Sequence, residues 1–478
     1  MLHRTLLVTQ LLVLCTLSGC VRGYDPHLTE RPMPSELQAN AHAEGEVEPV
    51  DVTVPEAADT KDARAVALAE VVKIAMAAPT SVLQAAARLE AASGRVATSD
   101  GRLLPGLSAD FRVRYLDGRE IGSFGVLQAD VNFARYEPTA AFFYRNNPGA
   151  AGTGSKAERR FADAAGYDLK EAQRQAMLQA ALSYQDIALT RASMAIATQL
   201  VQDAQRFYDI ANARAVAEVA SGADVARAEA ALAQAQRTEI QSRAFWKAAS
   251  IRLAQLLRWD LAEPLTTGDA DIEIQAVVDD TSEANLTGEA DRARPDVQAA
   301  QKRAEGGTLR AKQRWRDLLG PEVDASIGGR LLGTQMAHLG PTLIGYAFIG
   351  LSFDFEKGGR IRTAKGNAKA LQFQAEAMSE QADADIETAM VNVQAAREAI
   401  PPARAEVDAA ERSYAIELAR FDAGTGSGLE VIQSQNMKAR AKLTFIEQIL
   451  RFNAAQIELA AAIGHLSPEL FVHSVAPM

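Results

Sequence analysis

The chain has 478 residues and a formal net charge of −11 at pH 7, and hydrophobic residues make up 48% of it. This length and composition allow a large buried core, and the low aromatic share of 6% favours close-packed helices over a bulky globular core. The acidic balance argues against a nucleic-acid-binding protein, because no basic stripe is available to track phosphates.

The N-terminal residues predict export. Arg4 opens a short positive region, residues 6–17 form an apolar run, and Leu17-Ser18-Gly19 places small residues just before Cys20. This order is typical of a bacterial lipoprotein signal, and the apolar run is too short to span a bilayer as a stable helix. We therefore expect a signal peptide over residues 1–19 and a covalent lipid such as palmitate on Cys20. The alternative is an ordinary secretory signal whose cysteine is incidental.

The two cysteines bear on both location and chemistry. Cys15 would leave with the signal peptide and Cys20 would carry the lipid, so no thiol would remain for disulfides, metal binding or catalysis. Val21 stands where, by bacterial sorting custom, an aspartate would hold a lipoprotein at the inner membrane. The sequence therefore predicts a lipid-anchored protein of the outer membrane with a large periplasmic part.

The next segments change from irregular to helical. Residues 20–61 are rich in Pro, Glu and Asp and have no sustained periodicity, which predicts a lipidated tether. An Ala-rich run over residues 62–101 follows, with apolar residues at helical spacing. It predicts two helices divided at Pro79.

Four segments alternate apolar and polar residues with a period of two. They predict strands at about residues 105–116, 126–136, 321–332 and 342–355. Loops are expected at residues 117–125 and 333–341. Such strands suit a barrel wall with lipid on one face and water on the other, although a soluble half-buried sheet shows the same alternation.

The chain contains an internal duplication. Shifting residues 187–260 by 206 positions aligns two heptad-bearing segments, so that Tyr208 falls on Tyr414 and Ser221 on Ser427. Apolar residues at a spacing of seven keep one stripe facing a neighbouring helix. Each copy is therefore predicted to be a long antiparallel helical pair, with hairpin tips near residues 218–224 and 424–430.

The duplication divides the chain into domains. We predict a first structural repeat over residues 62–261, an equatorial linker over 262–294, a second repeat over 295–466 and a C-terminal tail over 467–478.

Two features depart from strict repetition. Pro105 and Pro321, which introduce the two strand pairs, are 216 residues apart, so the first copy carries about ten additional residues. An irregular bend at residues 145–155 is the expected place for them. Pro401 and Pro402 fall within the long second helix and predict a kink, since proline removes a hydrogen bond and clashes with the preceding turn.

These elements predict a mainly α fold with a small β part. Four strands are too few to close a pore, and strand edges cannot stay open in hydrocarbon, so several chains would have to share one barrel. A homotrimer with a twelve-strand transmembrane β-barrel is the simplest solution. The helical pattern over residues 157–217 would extend roughly 90 Å at 1.5 Å per residue. Such hairpins would form an α-barrel, and a solid coiled-coil rod is the alternative.

Specific motifs resemble the TolC-type outer-membrane efflux family. They are Arg294-Pro-Asp-Val-Gln-Ala-Ala300, the segment at residues 350–360 that ends the last strand, and the two hairpin tips. The resemblance covers about residues 62–466. It implies a homotrimeric channel-tunnel with an equatorial belt, which docks a periplasmic adaptor and an inner-membrane pump, either proton-driven or of the ABC type. Family members export drugs, metal ions or whole proteins.

The resemblance also implies roles for the tips. Glu430 matches the position where the family places acidic side chains that face the axis as a periplasmic gate, and like charges that close together repel and attract cations. Gln433 stands where some members carry a second acid. Asp224 is the pseudo-equivalent of Glu430, and could instead bond a basic partner between helices. Both acids could also be first-turn acids favoured by a helix N-terminus. Adaptor contacts are expected at Glu218, Val219, Ala220, Ser221, Gly222, Gly424, Thr425, Gly426, Ser427 and Gly428.

Enzyme functions find no support in the sequence. The six histidines are scattered without metal-ligand spacing, and there is no nucleophile motif or phosphate-binding glycine loop. We expect no cofactor and no metal. The predicted function is a passive exit duct of a tripartite efflux system for small molecules such as drugs. A protein-secretion duct of the same fold and a periplasmic adaptor or structural coiled-coil lipoprotein are the alternatives.

Overall fold

A computed structural model describes residues 63–121, 127–218, 221–267, 293–351 and 355–471. The predicted signal peptide, Cys20 and the whole of the tether lie outside the described residues. So do most of the predicted linker, Val219 and Ala220 in the first tip, and residues 472–478 of the tail.

The described elements follow the duplication. The first copy contains β1 (Arg64–Val66), α1 (Leu68–Ala75), α2 (Thr80–Gly101), β2 (Gly106–Ile121), β3 (Leu127–Asn146), α3 (Pro148–Val216) and α4 (Gly222–Leu257). After β4 (Leu265–Thr267), the second copy contains α5 (Pro295–Leu319), β5 (Glu322–Gln335), β6 (His338–Gly350), α6 (Phe355–Asp422) and α7 (Gly428–Ile463), and a 3-10 helix covers Pro468–Phe471.

One compact unit holds the four-stranded sheet. Among its described residues it comprises 88–166 and 299–376. The strand order is β2-β3-β5-β6, and every neighbouring pair is antiparallel. Each copy thus supplies one hairpin, and β3 joins them by pairing with β5. Strands β2 and β6 form the edges of the sheet.

The sheet carries its apolar side chains on one face. In the register Leu107 lies opposite Phe142, and Phe142 lies opposite Ile327, so alternate residues of successive strands share this face. Large apolar residues on it are exposed in the single chain, namely Leu107, Phe111, Val113, Tyr115, Phe142, Ile327, Leu331, Leu343 and Ile349. An exposed apolar face of this size is expected to contact an apolar partner and not water.

The ends of the strands differ from the prediction. Strands β2 and β3 have 16 and 20 residues, whereas β5 and β6 have 14 and 13. The predicted loop at residues 333–341 is wrong, because Gln335 pairs with His338 and leaves only a short turn. Pro341 therefore lies inside β6, where an edge strand tolerates a residue without a backbone N–H. Strand β6 also ends at Gly350, earlier than the predicted residue 355.

The predicted irregular bend at residues 145–155 is also wrong. Strand β3 continues to Asn146, and α3 begins at Pro148, a residue suited to the first helical turn. Asn147 caps this helix, since its Oδ1 accepts a hydrogen bond from the Ala150 N–H at 3.0 Å. Gly154 packs closely on α5, since a Cβ there would lie 2.7 Å from the Gln313 Nε2, whereas a Cβ at Gly152 would have no neighbour within 4 Å. The additional residues of the first copy lie in its longer strands.

The other compact unit is helical. Among its described residues it comprises 63–87, 167–298 and 377–471. Helices α3 and α4 pack antiparallel, as Tyr184, Ile187, Trp246 and Leu253 share one buried cluster. In the second copy, Ile400 on α6 is buried with Ile449 on α7. The heptad stripe of the sequence therefore lies in helix interfaces, as predicted.

Two shorter features complete this unit. Strands β1 and β4 pair in parallel, with Arg64 opposite Leu265. Leu68–Gly101 is the one helical stretch of the described residues with the length and hydropathy of a membrane span. It is divided into α1 and α2 around Pro79, as predicted, and α1 buries Val71 and Val72 in the core. Packing in the core thus accounts for the apolar character of α1.

Helix α6 continues through Pro401 and Pro402. Ile400 and Ala403, which flank this pair, are buried against α7. Tertiary packing therefore supports the helix where proline removes hydrogen bonds. The kink stays a prediction.

Arg294 explains the motif that begins α5. Its guanidinium binds Asp296 through two hydrogen bonds of 2.7 and 3.1 Å, and it donates a third to Asp385 on α6 at 2.9 Å. Burial alone would lower the pKa of Arg294 and raise that of Asp296. Their hydrogen bonds and opposite charges outweigh burial, so the Arg294 pKa is raised and the Asp296 pKa is lowered from its ordinary value.

Candidate functional site

The candidate site consists of two hairpin tips. The first tip, residues 217–221, joins α3 to α4, and the second tip, residues 423–427, joins α6 to α7. Both tips belong to the helical unit. The predicted tip positions thus lie where the long helices reverse direction.

The second tip is built on glycine. Gly424 has φ of 80°, and its N–H bonds the Phe421 carbonyl at 3.0 Å. The Thr425 and Gly426 N–H groups both bond the Arg420 carbonyl, at 2.9 and 3.0 Å. A Cβ at Gly426 would lie 2.9 Å from the Phe421 nitrogen. The turn therefore satisfies the last carbonyls of α6 and leaves no room for a side chain at Gly426.

The first tip repeats this geometry without glycine. Glu218, the repeat partner of Gly424, has φ of 54°, and its N–H bonds the Ala215 carbonyl at 3.0 Å. A residue with a Cβ in the left-handed region costs about 1 kcal/mol or more. Both residues are thus left-handed, although only Gly424 is a glycine.

Serine caps the helix that follows each tip. The Ser221 hydroxyl accepts a hydrogen bond from the Asp224 N–H at 3.3 Å and donates one to the Asp224 carboxylate at 2.8 Å. The Ser427 hydroxyl accepts from the Leu429 N–H at 3.2 Å, and the Glu430 carboxylate accepts from the Ser427 N–H at 3.1 Å. The second arrangement is a capping box.

The predicted gate residues have distinct local roles. Glu430 and Gln433 are exposed, and the Glu430 carboxylate serves the capping box. Asp224 is half-buried and binds Arg227 of its own helix at 3.0 Å. First-turn acids are stabilising at a helix N-terminus whatever else they do. Their gate role stays a prediction, as do the adaptor contacts.

Arg214 is a tip residue whose role the sequence did not reveal. Its guanidinium donates a hydrogen bond to the Phe421 carbonyl and lies 4.8 Å from the centroid of the Phe421 ring. It thus ties the end of α3 to the end of α6. Its repeat partner Arg420 instead binds Glu417 of its own helix at 3.1 Å. The sequence shows only that Arg214 aligns with Arg420 in the internal duplication.

A polar cluster lies in the helical body behind the tips. The Lys438 ammonium binds the Asp203 carboxylate at 2.6 Å and lies 4.4 Å from the centroid of the Tyr414 ring. Both members of the ion pair are largely buried, and it joins α7 to α3. Burial and the Asp203 charge raise the pKa of Tyr414 to about 12. Nearby, the Phe207 and Phe421 rings pack 5.1 Å apart.

No three His, Cys, Asp or Glu residues are grouped to hold a metal ion in the described part of the chain. The expected absence of a metal and of a cofactor stays a prediction.

The fold is similar to that of solved outer-membrane channels. CmeC of Campylobacter jejuni is 15% identical with a TM-score of 0.72, over 83% of this chain and 85% of CmeC. VceC of Vibrio cholerae is 17% identical with a TM-score of 0.72, over 83% and 96%. MtrE of Neisseria gonorrhoeae, in its open state, is 16% identical with a TM-score of 0.70, over 88% and 96%. The predicted mainly α fold with long helical hairpins and a small β part is thus confirmed.

Residues 286–465 match the family model described as outer membrane efflux protein. No curated protein matches the sequence. Over this second half of the chain, the predicted resemblance to the TolC-type family is confirmed. Since the family and the fold are those of channels, the prediction that the chain is not an enzyme is also confirmed.

Proposed function

We propose that this protein is the outer-membrane exit duct of a tripartite efflux system that exports small molecules. The observation that carries the proposal is a four-stranded sheet with a wholly apolar face over most of its length and two edge strands, β2 and β6. Exposed apolar residues such as Leu343 and Ile349 suit lipid better than water.

The edges of the sheet require further chains. Backbone N–H and C=O groups cannot remain unpaired in hydrocarbon, so β2 of one chain would pair with β6 of another. Three chains with four strands each would close a twelve-strand barrel. The proposal is therefore a homotrimer that encloses a water-filled passage.

The helical hairpins would extend this passage into the periplasm. In the proposal, the two tips of each chain gather at the entrance, contact a periplasmic adaptor and receive the substrate from an inner-membrane pump. Three copies of Glu430 would then face one axis and repel one another. The Ser427 N–H that binds each carboxylate would keep the acids in place. Cys20 would carry a lipid that anchors the chain in the outer membrane.

Conductance in planar lipid bilayers tests the proposal. We expect the purified protein to form pores, and we expect disturbance of the tip by Glu430→Ala to raise the single-channel conductance. Absence of any pore from correctly folded protein would contradict a duct. A pore that passes peptides and unfolded protein as readily as small solutes would favour the secretion alternative.

A further inference from the structure

The second face of the sheet carries the charges. Apart from Asp117 at the far end, the charged residues of β2, β3, β5 and β6 with described side chains lie on the face opposite the apolar one. In the proposed barrel this charged face lines the passage. It has two zones, which differ in chemistry.

Arginines dominate the first zone. We call it the arginine cluster: Arg112, Arg114, Arg135 and Arg330, with the acids Asp110 and Glu137. Glu137 lies opposite Arg112 in the register and 3.9 Å from the Arg330 guanidinium, and its side chain is only 5% exposed. The cluster thus has four cations and two anions, although the chain as a whole has a net charge of −11.

Arg114 and Arg135 lie directly opposite each other in the register. Like charges at opposed positions destabilise a sheet. Neither guanidinium forms a salt bridge with a described residue, and Arg135 lies 5.5 Å from the centroid of the Phe133 ring. The cluster therefore retains hydrogen-bonding capacity and positive charge that an anion would satisfy.

Aromatic and apolar side chains dominate the second zone, nearer the point where β3 leads into α3. We call it the aromatic zone: Phe143, Ile344, Tyr346 and Phe348, which are 44%, 37%, 49% and 63% exposed. Small residues make room for the rings. A Cβ at Gly106 would lie 2.6 Å from the Phe143 ring, and a Cβ at Gly350 would lie 2.5 Å from the Phe348 ring.

The two zones are adjacent. Arg330 lies opposite Thr342, four residues along β6 from Tyr346, which corresponds to about 13 Å at strand spacing. Ile344 lies between them on the same face. At the end of the sheet where β3 leads into α3, positive and negative charges are paired. Arg145 binds Asp324 at 2.8 Å, and the Lys357 ammonium lies 3.6 Å from the Glu322 carboxylate. Among the described side chains of this face, the excess positive charge is therefore confined to the arginine cluster.

We infer that this face forms an anion-selective passage that takes amphipathic organic anions. The aromatic part of such a solute would pack on Phe143, Tyr346 and Phe348, and its carboxylate or sulfonate would meet the arginine cluster. Rings of arginine are the devices by which pores favour anions. The inference rests on the proposed function, because the passage exists only if chains close a barrel.

The reversal potential in a KCl gradient tests the charge selectivity. The measurement uses protein that carries Glu430→Gln. This change removes the tip carboxylate, so that the charge of the entrance does not mask the charge selectivity of the barrel. In this background we expect anion selectivity, and we expect Arg114→Gln/Arg135→Gln to shift the reversal potential toward cations. Loss of two like charges relieves repulsion, so the variant should fold. Arg237→Gln, an exposed arginine on α4, is the matched control and should cause no shift.

Two sulfonates of equal charge test the aromatic zone. We expect 2-naphthalenesulfonate to block the current more strongly than methanesulfonate, and Tyr346→Thr/Phe348→Thr to abolish the difference. Phe373→Thr, an exposed aromatic on α6, should preserve it. A reversal potential unmoved by the arginine variant, or equal block by the two sulfonates, overturns the inference while the duct stands. A protein without any pore contradicts the duct itself, and the inference falls with it.

Discussion

Glu218 and Gly424 lie 206 residues apart in the chain and occupy the same left-handed turn, with φ of 54° and 80°. The duplication has therefore preserved the left-handed conformation at this position while the residue type has changed. Strain of this kind is found at functional positions when the surrounding structure holds it in place. The first tip consequently stores a small amount of conformational energy that the second does not.

Replacement of Glu218 by glycine should release this energy. We expect Glu218→Gly to stabilise the protein by about 1 kcal/mol, because glycine adopts positive φ without a clash. Glu387→Gly, within α6 and exposed, is the matched control and should destabilise by about 1 kcal/mol. Denaturant unfolding measures both. A fall in stability with Glu218→Gly would show that its side chain matters more than its backbone.

Arg214 should hold the two tips of one chain together. Removal of its hydrogen bond to the Phe421 carbonyl is expected to cost about 1.5 kcal/mol, as the donor is charged. Amide hydrogen exchange over residues 420–428 should therefore accelerate in Arg214→Ala. Arg420→Ala removes the repeat-equivalent residue, which binds only Glu417, and should change exchange little. Equal acceleration in both variants would contradict the bridging role.

Glu430 can be tested as a gate separately from its role as a cap. Glu430→Gln keeps an acceptor for the Ser427 N–H, since glutamine also completes a capping box, but it removes the charge. We expect a loss of stability of no more than about 1 kcal/mol, from the charge at the helix N-terminus, and a lower preference for cations at the entrance. Unfolding and conductance measure these effects. Unaltered ion selectivity in Glu430→Gln would leave Glu430 as a cap alone.

The Arg294 and Asp296 pair should make stability depend on pH. The pKa of Asp296 is lowered in the folded chain, so its contribution is present above the ordinary value of 3.8 and is lost as the pH falls through the folded pKa. We expect Asp296→Asn to cost about 2 kcal/mol at pH 7 and progressively less as the pH falls below 3.8. A difference that is constant across this range would exclude the ionised pair as the cause.

Variants at two adjacent residues of β6 test which face of the sheet contacts lipid. Leu343 lies on the apolar face and Thr342 on the charged face. Leu343→Arg should oppose membrane assembly by about 2 to 4 kcal/mol if it lies at mid-membrane. Thr342→Arg should cost no more than about 1 kcal/mol, because the new arginine would lie opposite Arg330. The yield of membrane-inserted protein from each variant measures this. Equal tolerance would argue for a soluble sheet.

The sequence predicted the features that repeat. Period-two alternation located both hairpins of the sheet, and the shift of 206 residues located both tips. Both signals are local, because the strand pleat and the helix-packing heptad each set the spacing of apolar residues. Strand ends were less predictable: Gly333 and Pro341 indicate a loop, but pairing with neighbouring strands overrides these preferences. Glycines at 149, 152 and 154 likewise suggested a bend, but α3 runs through all three, and only Gly154 lies so close to α5 that a Cβ would approach Gln313 to 2.7 Å.

Contacts between distant segments could not be predicted. The bond from Arg214 to the Phe421 carbonyl joins residues 207 positions apart. The opposition of Arg114 and Arg135 depends on a strand register that no local pattern fixes uniquely. The helix caps, in contrast, follow from short sequence spacing, and the capping box of Ser427 and Glu430 can be predicted directly from the sequence.

The number of chains in the detergent-solubilised protein tests the central claim most directly. Native mass spectrometry should detect an assembly of three chains, since three four-stranded sheets close the proposed barrel and leave no open edge. A monomer or a dimer that is folded and still reaches the outer membrane would contradict a shared barrel and with it the proposed duct.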